Sequence, residues 1–478
     1  MGDEKIIKVN LDELGKLTQL TTLQLHIPNV MLLPKDFCFE NLIRFEISIG
    51  IGIGMGMSVG MVMDMGMSMS MGISKTHSKS CKLAGVSLMD KYIVLLLRAE
   101  ELHLEKIEGL QEVLHDRGAP SGFFNNLIKL TIRACRLEYL FSLSCARGFP
   151  RLQILRIVDC EMMEAIVGIE EEKDEDELSS QVINFSQLKY LRLENLPKLI
   201  SFYPKVKKMS TSEGNSSTQA QFLFNEKVAF PVLENLVIRK LPNIIEIREK
   251  RLLIASENES KSCRLKDLKV SNCEKLVHVV RFNMLPRLQN PQRIMVDNCP
   301  KKEAVVAEKE KEKGTTSNDI IVFPQLIILN LSELVSLKSF YNWPTRFEAQ
   351  PLFNHQVAFP VLENLVITKL PNIIEIWEKR LLMASENESK SLRLKDLKVS
   401  NCEKLVHVVR LNMLRRLQNL ESFKVDNCSK MEAIVTEKEK ETGTTSNDII
   451  VFSQLTTLRL SELVSLKSFY NWPTRFEA

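Results

Sequence analysis

The chain has 478 residues, 44% of them hydrophobic and 26% charged, with 64 Lys and Arg against 60 Asp and Glu. That composition excludes a disordered or collagen-like chain, and a net charge of +4 over this length gives no nucleic-acid footprint. Leucine is abundant at 66 residues and glycine scarce at 18, seven of them between Gly50 and Gly72, which leaves few for the turns and phosphate loops of a large enzyme.

The chain opens MGDEKIIKVNLDEL, with charges where a signal peptide needs an apolar core and Ile6 where a myristoylation signal needs Ser or Thr. The ten cysteines include no CxxC and no close Cys–His pairing, so neither a disulfide scaffold nor a zinc module is expected, and the cytoplasm is the default compartment. Residues 1–49 hold the first two LxL-type cores, Leu23/Leu25 and Phe45/Ile47. Residues 50–80 read as a Met/Gly/Ser low-complexity insertion: eight of the 19 Met lie between residues 50 and 73. With no Cys or His among them, and Asp64 interrupting the apolar run, a loose loop is preferred to a Cu(I) site or a membrane helix. Residues 81–204 carry Leu102/Leu104, Leu130/Ile132, Leu155/Ile157 and Leu191/Leu193, with the acidic run EEEKDEDE at 170–177 as a solvated loop. A polar loop fills 205–227.

The second half is a direct repeat. Residues 228–349 align without a gap to 357–478 at an offset of 129, with 20 differences in 122 positions and a junction at 350–356. Leu236/Ile238, Leu268/Val270, Ile294/Val296 and Leu329/Leu331 return as Leu365/Ile367, Leu397/Val399, Phe423/Val425 and Leu458/Leu460. The spacings 32, 26, 35 and 36 sum to the long period, so each unit is four short repeats. LxxLxL is a short strand with alternating sides, whose leucines need stacked neighbours to bury them. Cys135, Cys160, Cys273, Cys299, Cys402 and Cys428 stand three places after the core pair, where a small residue turns the chain out of the strand. Phe149, Phe230, Phe323 and Phe359 each precede a proline at a strand entry; Phe185 and Phe452 keep the ring with Ser, so the rings are expected to stack in the core.

These features describe an α/β leucine-rich-repeat solenoid. The FPxLxxLxL entries and xxCxxLxxI exits, in FPRLQILRIVDCEMMEAIV at 149 and FSQLKYLRLENLPKLISFY at 185, resemble the repeat region of plant coiled-coil nucleotide-binding leucine-rich-repeat disease-resistance proteins. LTQLTTLQLHIPNVMLLPKDFCFENLIRFEISIG at 17 is similar to that family's early repeats, and the resemblance covers nearly the whole chain outside 50–80. It implies a horseshoe with a parallel inner sheet and irregular loops or short helices outside, and a module that helps detect pathogen effectors and restrain a switch domain. The switch itself is not found: the only GK, Gly15-Lys16, lacks the preceding Gly and is followed by Leu17. The chain begins inside a repeat and ends at Phe476-Glu477-Ala478, whereas the matching Phe347-Glu348-Ala349 continues, so a partial receptor is expected.

No nucleophile elbow, HExxH or paired-carboxylate site appears, and neither enzyme activity nor a cofactor nor a metal is expected. His278 and His407 are copies in LVHVV, and Trp343 and Trp472 are copies in FYNWPTRFEA; both pairs read as structural, while His103 points outward where a ligand could touch it. The central outward column holds six basic residues, Arg156, Arg192, Lys269, Lys398, Lys424 and Arg459, against one acid, Glu46. It is the candidate protein-binding face for an acidic partner: a pathogen effector, a guarded host protein or the receptor's own domains, with no nucleic acid and no membrane. The alternatives are an adaptor such as a ubiquitin-ligase substrate reader, or a truncated gene product without its own activity.

Overall fold

The computed structural model describes residues 11, 14, 16–28, 41–50, 79–87, 95–111, 124–146, 149–168, 182–204, 222–225, 227–248, 264–281, 290–307, 321–341, 351–354, 357–378, 392–410, 413, 416–436 and 452–471. The Met/Gly run beyond Gly50, the acidic run at 170–177, the polar loop at 205–221, the charged runs from 308 and 437, Trp343 and Trp472 lie outside them. The chain divides into two compact units, Met1–Thr211 with Lys227–Pro231, and Ser212–Glu226 with Val232–Ala478.

The first unit is built on seven parallel strands: β1 (Thr22–Ile27), β2 (Arg44–Ile49), β3 (Lys79–Ala84), β4 (Glu101–Glu105), β5 (Lys129–Arg133), β6 (Ile154–Val158) and β7 (Tyr190–Glu194). The second has eight: β8 (Asn235–Arg239), β9 (Asp267–Ser271), β10 (Arg293–Asp297), β11 (Ile328–Ser332), β12 (Asn364–Thr368), β13 (Asp396–Ser400), β14 (Ser422–Asp426) and β15 (Thr457–Ser461). Within each unit, core residues of successive repeats oppose one another, as Leu102 opposes Leu130 and Leu268 opposes Ile294. Every core pair from Phe45/Ile47 to Phe423/Val425 is buried. This is the leucine-rich-repeat architecture read from the sequence. Strand β3 was not among the fourteen cores: Cys81 and Leu83 are its buried pair, and its first two residues fall inside the stretch assigned to the insertion.

Each strand from β2 onward ends in one residue of left-handed backbone. Gly50 and Gly85 do this for β2 and β3; after β4 to β15 the residues are Lys106, Ala134, Asp159, Asn195, Lys240, Asn272, Asn298, Glu333, Lys369, Asn401, Asn427 and Glu462, with φ between 45° and 58°. At Gly50 a side chain is impossible, because a Cβ would lie 1.8 Å from the Ala84 carbonyl oxygen. The turn carries the ladder past the strand: the amides of Ala134 and Asn272 donate to the carbonyls of Val158 and Asp297, both at 3.0 Å. It also aims the next side chain into the core, and there the six exit cysteines are buried, with their thiols donating to the carbonyl two residues back at 3.3–3.5 Å. The turn therefore lies one residue before the cysteine, not at it. Asparagine tolerates this conformation and adds side-chain rungs, Asn298 Nδ2 to Asn272 Oδ1 and Asn427 Nδ2 to Asn401 Oδ1, each 2.7 Å. Alanine has no such compensation. Ala134→Gly should raise stability by about 0.5–1 kcal/mol, seen as a higher urea midpoint at unchanged slope.

The phenylalanines stack as expected. Phe185 lies on Phe230 at 5.5 Å in the first unit and Phe323 on Phe359 at 5.6 Å in the second, both near parallel. The prolines that follow sit in turns rather than at strand entries, as at Pro231 and Pro360. Two-residue strands precede the rings, Ile183–Asn184 pairing Val228–Ala229, and Ile321–Val322 pairing Val357–Ala358. Among the described residues the far side of the repeats holds loops and short helical turns, at 95–98 and at Leu143–Ala146, and beside them further short parallel strands that were not expected, such as Val280–Arg281, Ala304–Ala307 and Ser339–Tyr341. These β pieces form because the exits are rich in Val, Ile and Ala at two- to four-residue length, too short for a helix nucleus.

Candidate protein-recognition face

A partner meets the solvent side of each main sheet, where the residue between two core positions projects. In the first unit that column runs Gln24 and Glu46 on β1 and β2, then Lys82, His103, Thr131, Arg156 and Arg192 on β3 to β7; each residue is beside the next in register except between β2 and β3, where Glu46 opposes Ser80 and Lys82 opposes Ser48. His103, Thr131 and Arg156 are nonetheless buried. Strands lie about 4.8 Å apart, so long neighbours on both sides close over a residue in the middle of a sheet.

Arg156 is 7% exposed and its guanidinium carbon stands 4.9 Å from the centre of the Tyr190 ring. Arg192 donates through Nε to Glu194 Oε2 at 2.7 Å. Both were expected to face a partner, and the structure commits both to internal contacts. His103, expected to be open to a ligand, lies 3.7 Å from Glu105. Its pKa is pushed down to about 4, first by burial and then by Lys82, Arg133, Lys129 and Arg156, so it is neutral at physiological pH. The other cations of this face are also compensated, Lys129 by Glu101 at 3.4 Å and Arg133 by Asp159 at 3.3 Å.

The second unit differs. Its column runs Val237, Lys269, Met295, Asn330, Val366, Lys398, Lys424, Arg459. Lys269 is half-buried between Val237 and Met295. Lys398, Lys424 and Arg459 occupy one register line on β13, β14 and β15. Lys398 and Arg459 are exposed and Lys424 half-buried, and none of the three has an ion pair among the described residues. Two acids flank them, Asp396 and Asp426, and Asp426 accepts a hydrogen bond from Ser461. Three cations in register on adjacent strands make a local excess of positive charge that favours an anionic partner. Lys424 and Arg459 stand where the first copy has Met295 and Asn330, while Lys398 matches Lys269. Two of the 20 differences between the copies thus create the three-cation line, and that comparison was available in the sequence.

His407, read as a structural histidine, is buried with Nε2 3.9 Å from Glu375. Among the described residues no group of three or more His, Cys, Asp or Glu could hold a metal, and no helix is long and apolar enough to cross a membrane.

A family model described as Plant disease resistance protein RPS2-like, leucine-rich repeats, matches residues 98–215, 243–349 and 361–475, most of the chain. No curated protein matches it.

Proposed function

From the premise that the chain belongs to the leucine-rich repeats of RPS2-like plant disease resistance proteins, we propose that it is the recognition module of an intracellular immune receptor and docks an acidic protein surface on the Lys398–Lys424–Arg459 line. The module acts by binding, without catalysis, in the cytoplasm. Its partner is a pathogen effector, a guarded host protein or a switch domain of the receptor.

The observation that carries this reading is the register line of three uncompensated cations on adjacent strands. Compensated charges contribute little to steering, whereas a local excess of one sign raises association rates toward an oppositely charged surface. The triple variant Lys398→Glu, Lys424→Glu, Arg459→Glu keeps the buried core residues untouched and should fold as the wild type does. Proteins captured from leaf extract on the wild-type chain should associate with the variant about tenfold more slowly at low salt, with the two rates converging at high salt. Unchanged association rates would move the recognition site elsewhere on the molecule. Arg156→Glu is unsuited to this test, because it buries a carboxylate against Tyr190.

A further inference from the structure

The six exit cysteines occur as three pairs. Cys135 and Cys160 follow β5 and β6, Cys273 and Cys299 follow β9 and β10, and Cys402 and Cys428 follow β13 and β14; in each case the two strands are register neighbours. Continuing that register by two residues sets the paired Cα atoms at about the strand spacing of 4.8 Å, inside the range a disulfide bridges without backbone movement.

The middle pair has a different third neighbour. Three residues after Cys160 and Cys428 the chain inserts Met163 and Met431 into the core, both 0% exposed. Three residues after Cys299 the inserted residue is Lys302, also 0% exposed, and its Nζ has no hydrogen-bond partner. The charged or titratable groups that act on this ammonium are the thiols of Cys299 and Cys273. An unpaired charge in an apolar core is costly, and it draws a neighbouring acid to ionise. The Cys299 thiol is held below its usual range by its contact with Cys273 and by Lys302, against burial and Asp297, and the ammonium acts more on Cys299 than on Cys273, so Cys299 is the thiol it draws to ionise. Cys402 and Cys428 are in the same mutual contact but have Met431 in place of the cation.

We propose that Cys273 and Cys299 are an oxidative modification site for hydrogen peroxide, with Cys299 the nucleophile and Lys302 the cation that holds it as thiolate. The Cys299 thiolate attacks one peroxide oxygen and the O–O bond breaks. The departing hydroxide takes up the proton Cys299 had released and leaves as water, and Cys299 becomes a sulfenic acid. The Cys273 sulfur then attacks the sulfenic sulfur; its proton leaves with the hydroxyl as a second water. The two thiols lose two electrons and peroxide gains them, while Lys302 keeps its proton. Peroxide reaches the pair through local opening, which charged groups in the core, where the other two pairs have a methionine, make cheaper here. Oxidation removes the thiolate, so the ammonium loses its counter-charge and this repeat is driven further toward opening.

The internal duplication supplies the control. The whole chain is exposed to hydrogen peroxide, quenched with N-ethylmaleimide, digested with trypsin and read by mass spectrometry. The pairs are distinguishable because Cys299 falls in IMVDNCPK and Cys428 in VDNCSK, each joined to VSNCEK when oxidised. The Cys273–Cys299 product should form at least about tenfold faster than the Cys402–Cys428 product, since the thiolate is the reactive species. Lys302→Met should bring the first rate down to the second. It should also move the pH midpoint of Cys299 alkylation by iodoacetamide upward, a shift that a change in packing alone does not produce. Equal oxidation of the two pairs in the wild-type chain, or an unmoved alkylation midpoint in the variant, would overturn the proposal.

Discussion

Phe340→Ala should cost about 3–5 kcal/mol, the loss expected for deleting a fully buried ring, whereas Phe469→Ala should cost about 1–2 kcal/mol. The two residues are copies of one another in the run SFYN. Phe340 is wholly buried, edge-on to Phe323 at 5.8 Å and to Phe359 at 5.5 Å, with Phe353 at 5.6 Å. It lies between the rings that lead into β11 and β12, so its removal opens a cavity shared by two repeats. Phe469 is half-buried and meets Phe452 at 6.5 Å and Tyr470 at 4.9 Å. Local sequence, backbone and propensity are the same at the two sites, so the difference isolates what neighbouring repeats contribute. Urea denaturation of the two variants measures it. Equal losses would mean that each ring is stabilised within its own repeat and that stacking between repeats adds nothing.

The strands were legible because burial of an alternating pair demands large apolar residues at fixed spacing, and Leu or Ile at those places leaves a period that survives irregular loops. Strand β3 escaped because its pair is Cys81 and Leu83, in KSCKLAG, with no second leucine and an insertion directly before it. The left-handed residue after each strand was hidden for a different reason. Its conformation is imposed by the ladder continuing into the next repeat, so Lys106, Ala134 and Glu333 occupy it against their own preference. The recurring Asn-Cys of Asn272, Asn298, Asn401 and Asn427 was the available signal.

On the recognition face the alternation of strand residues gave direction but not environment. Arg156 and Arg192 do project from the outward side, yet Tyr190 and Glu194, residues of a neighbouring strand and of the same strand, occupy them. No one-dimensional pattern reports a cross-strand ring or a rotamer. Lys398, Lys424 and Arg459 keep their place as candidates because their register neighbours are one another. The short far-side strands, two to four residues long, carry too few residues for any period to show.

Lys302→Met should stabilise the protein by about 3 kcal/mol at pH 7, and the gain should shrink toward zero as pH approaches 10.5. Met431 shows that the methionine fits: it fills the same place in the second copy with no exposed surface. Burial lowers the Lys302 pKa from 10.5 to about 8, and the nearby thiols of Cys299 and then Cys273 pull it partly back. The folded chain therefore holds fewer protons than the unfolded chain between those two values. Stability then rises with pH across that window, is fully gained above 10.5, and is lost as pH falls through 8. The two values differ by 2.5, and at 1.36 kcal/mol for each pH unit this corresponds to about 3 kcal/mol. Below pH 8 the folded protein carries the ammonium in its core and the penalty is constant; methionine removes it there and has nothing to remove once the unfolded lysine is also neutral. Urea midpoints of both proteins at intervals from pH 6.5 to 10.5 give the difference, with the titrating groups away from the Cys273–Cys299 pair cancelling between them. A gain independent of pH would show that methionine helps through packing alone and that Lys302 reaches water in the folded chain.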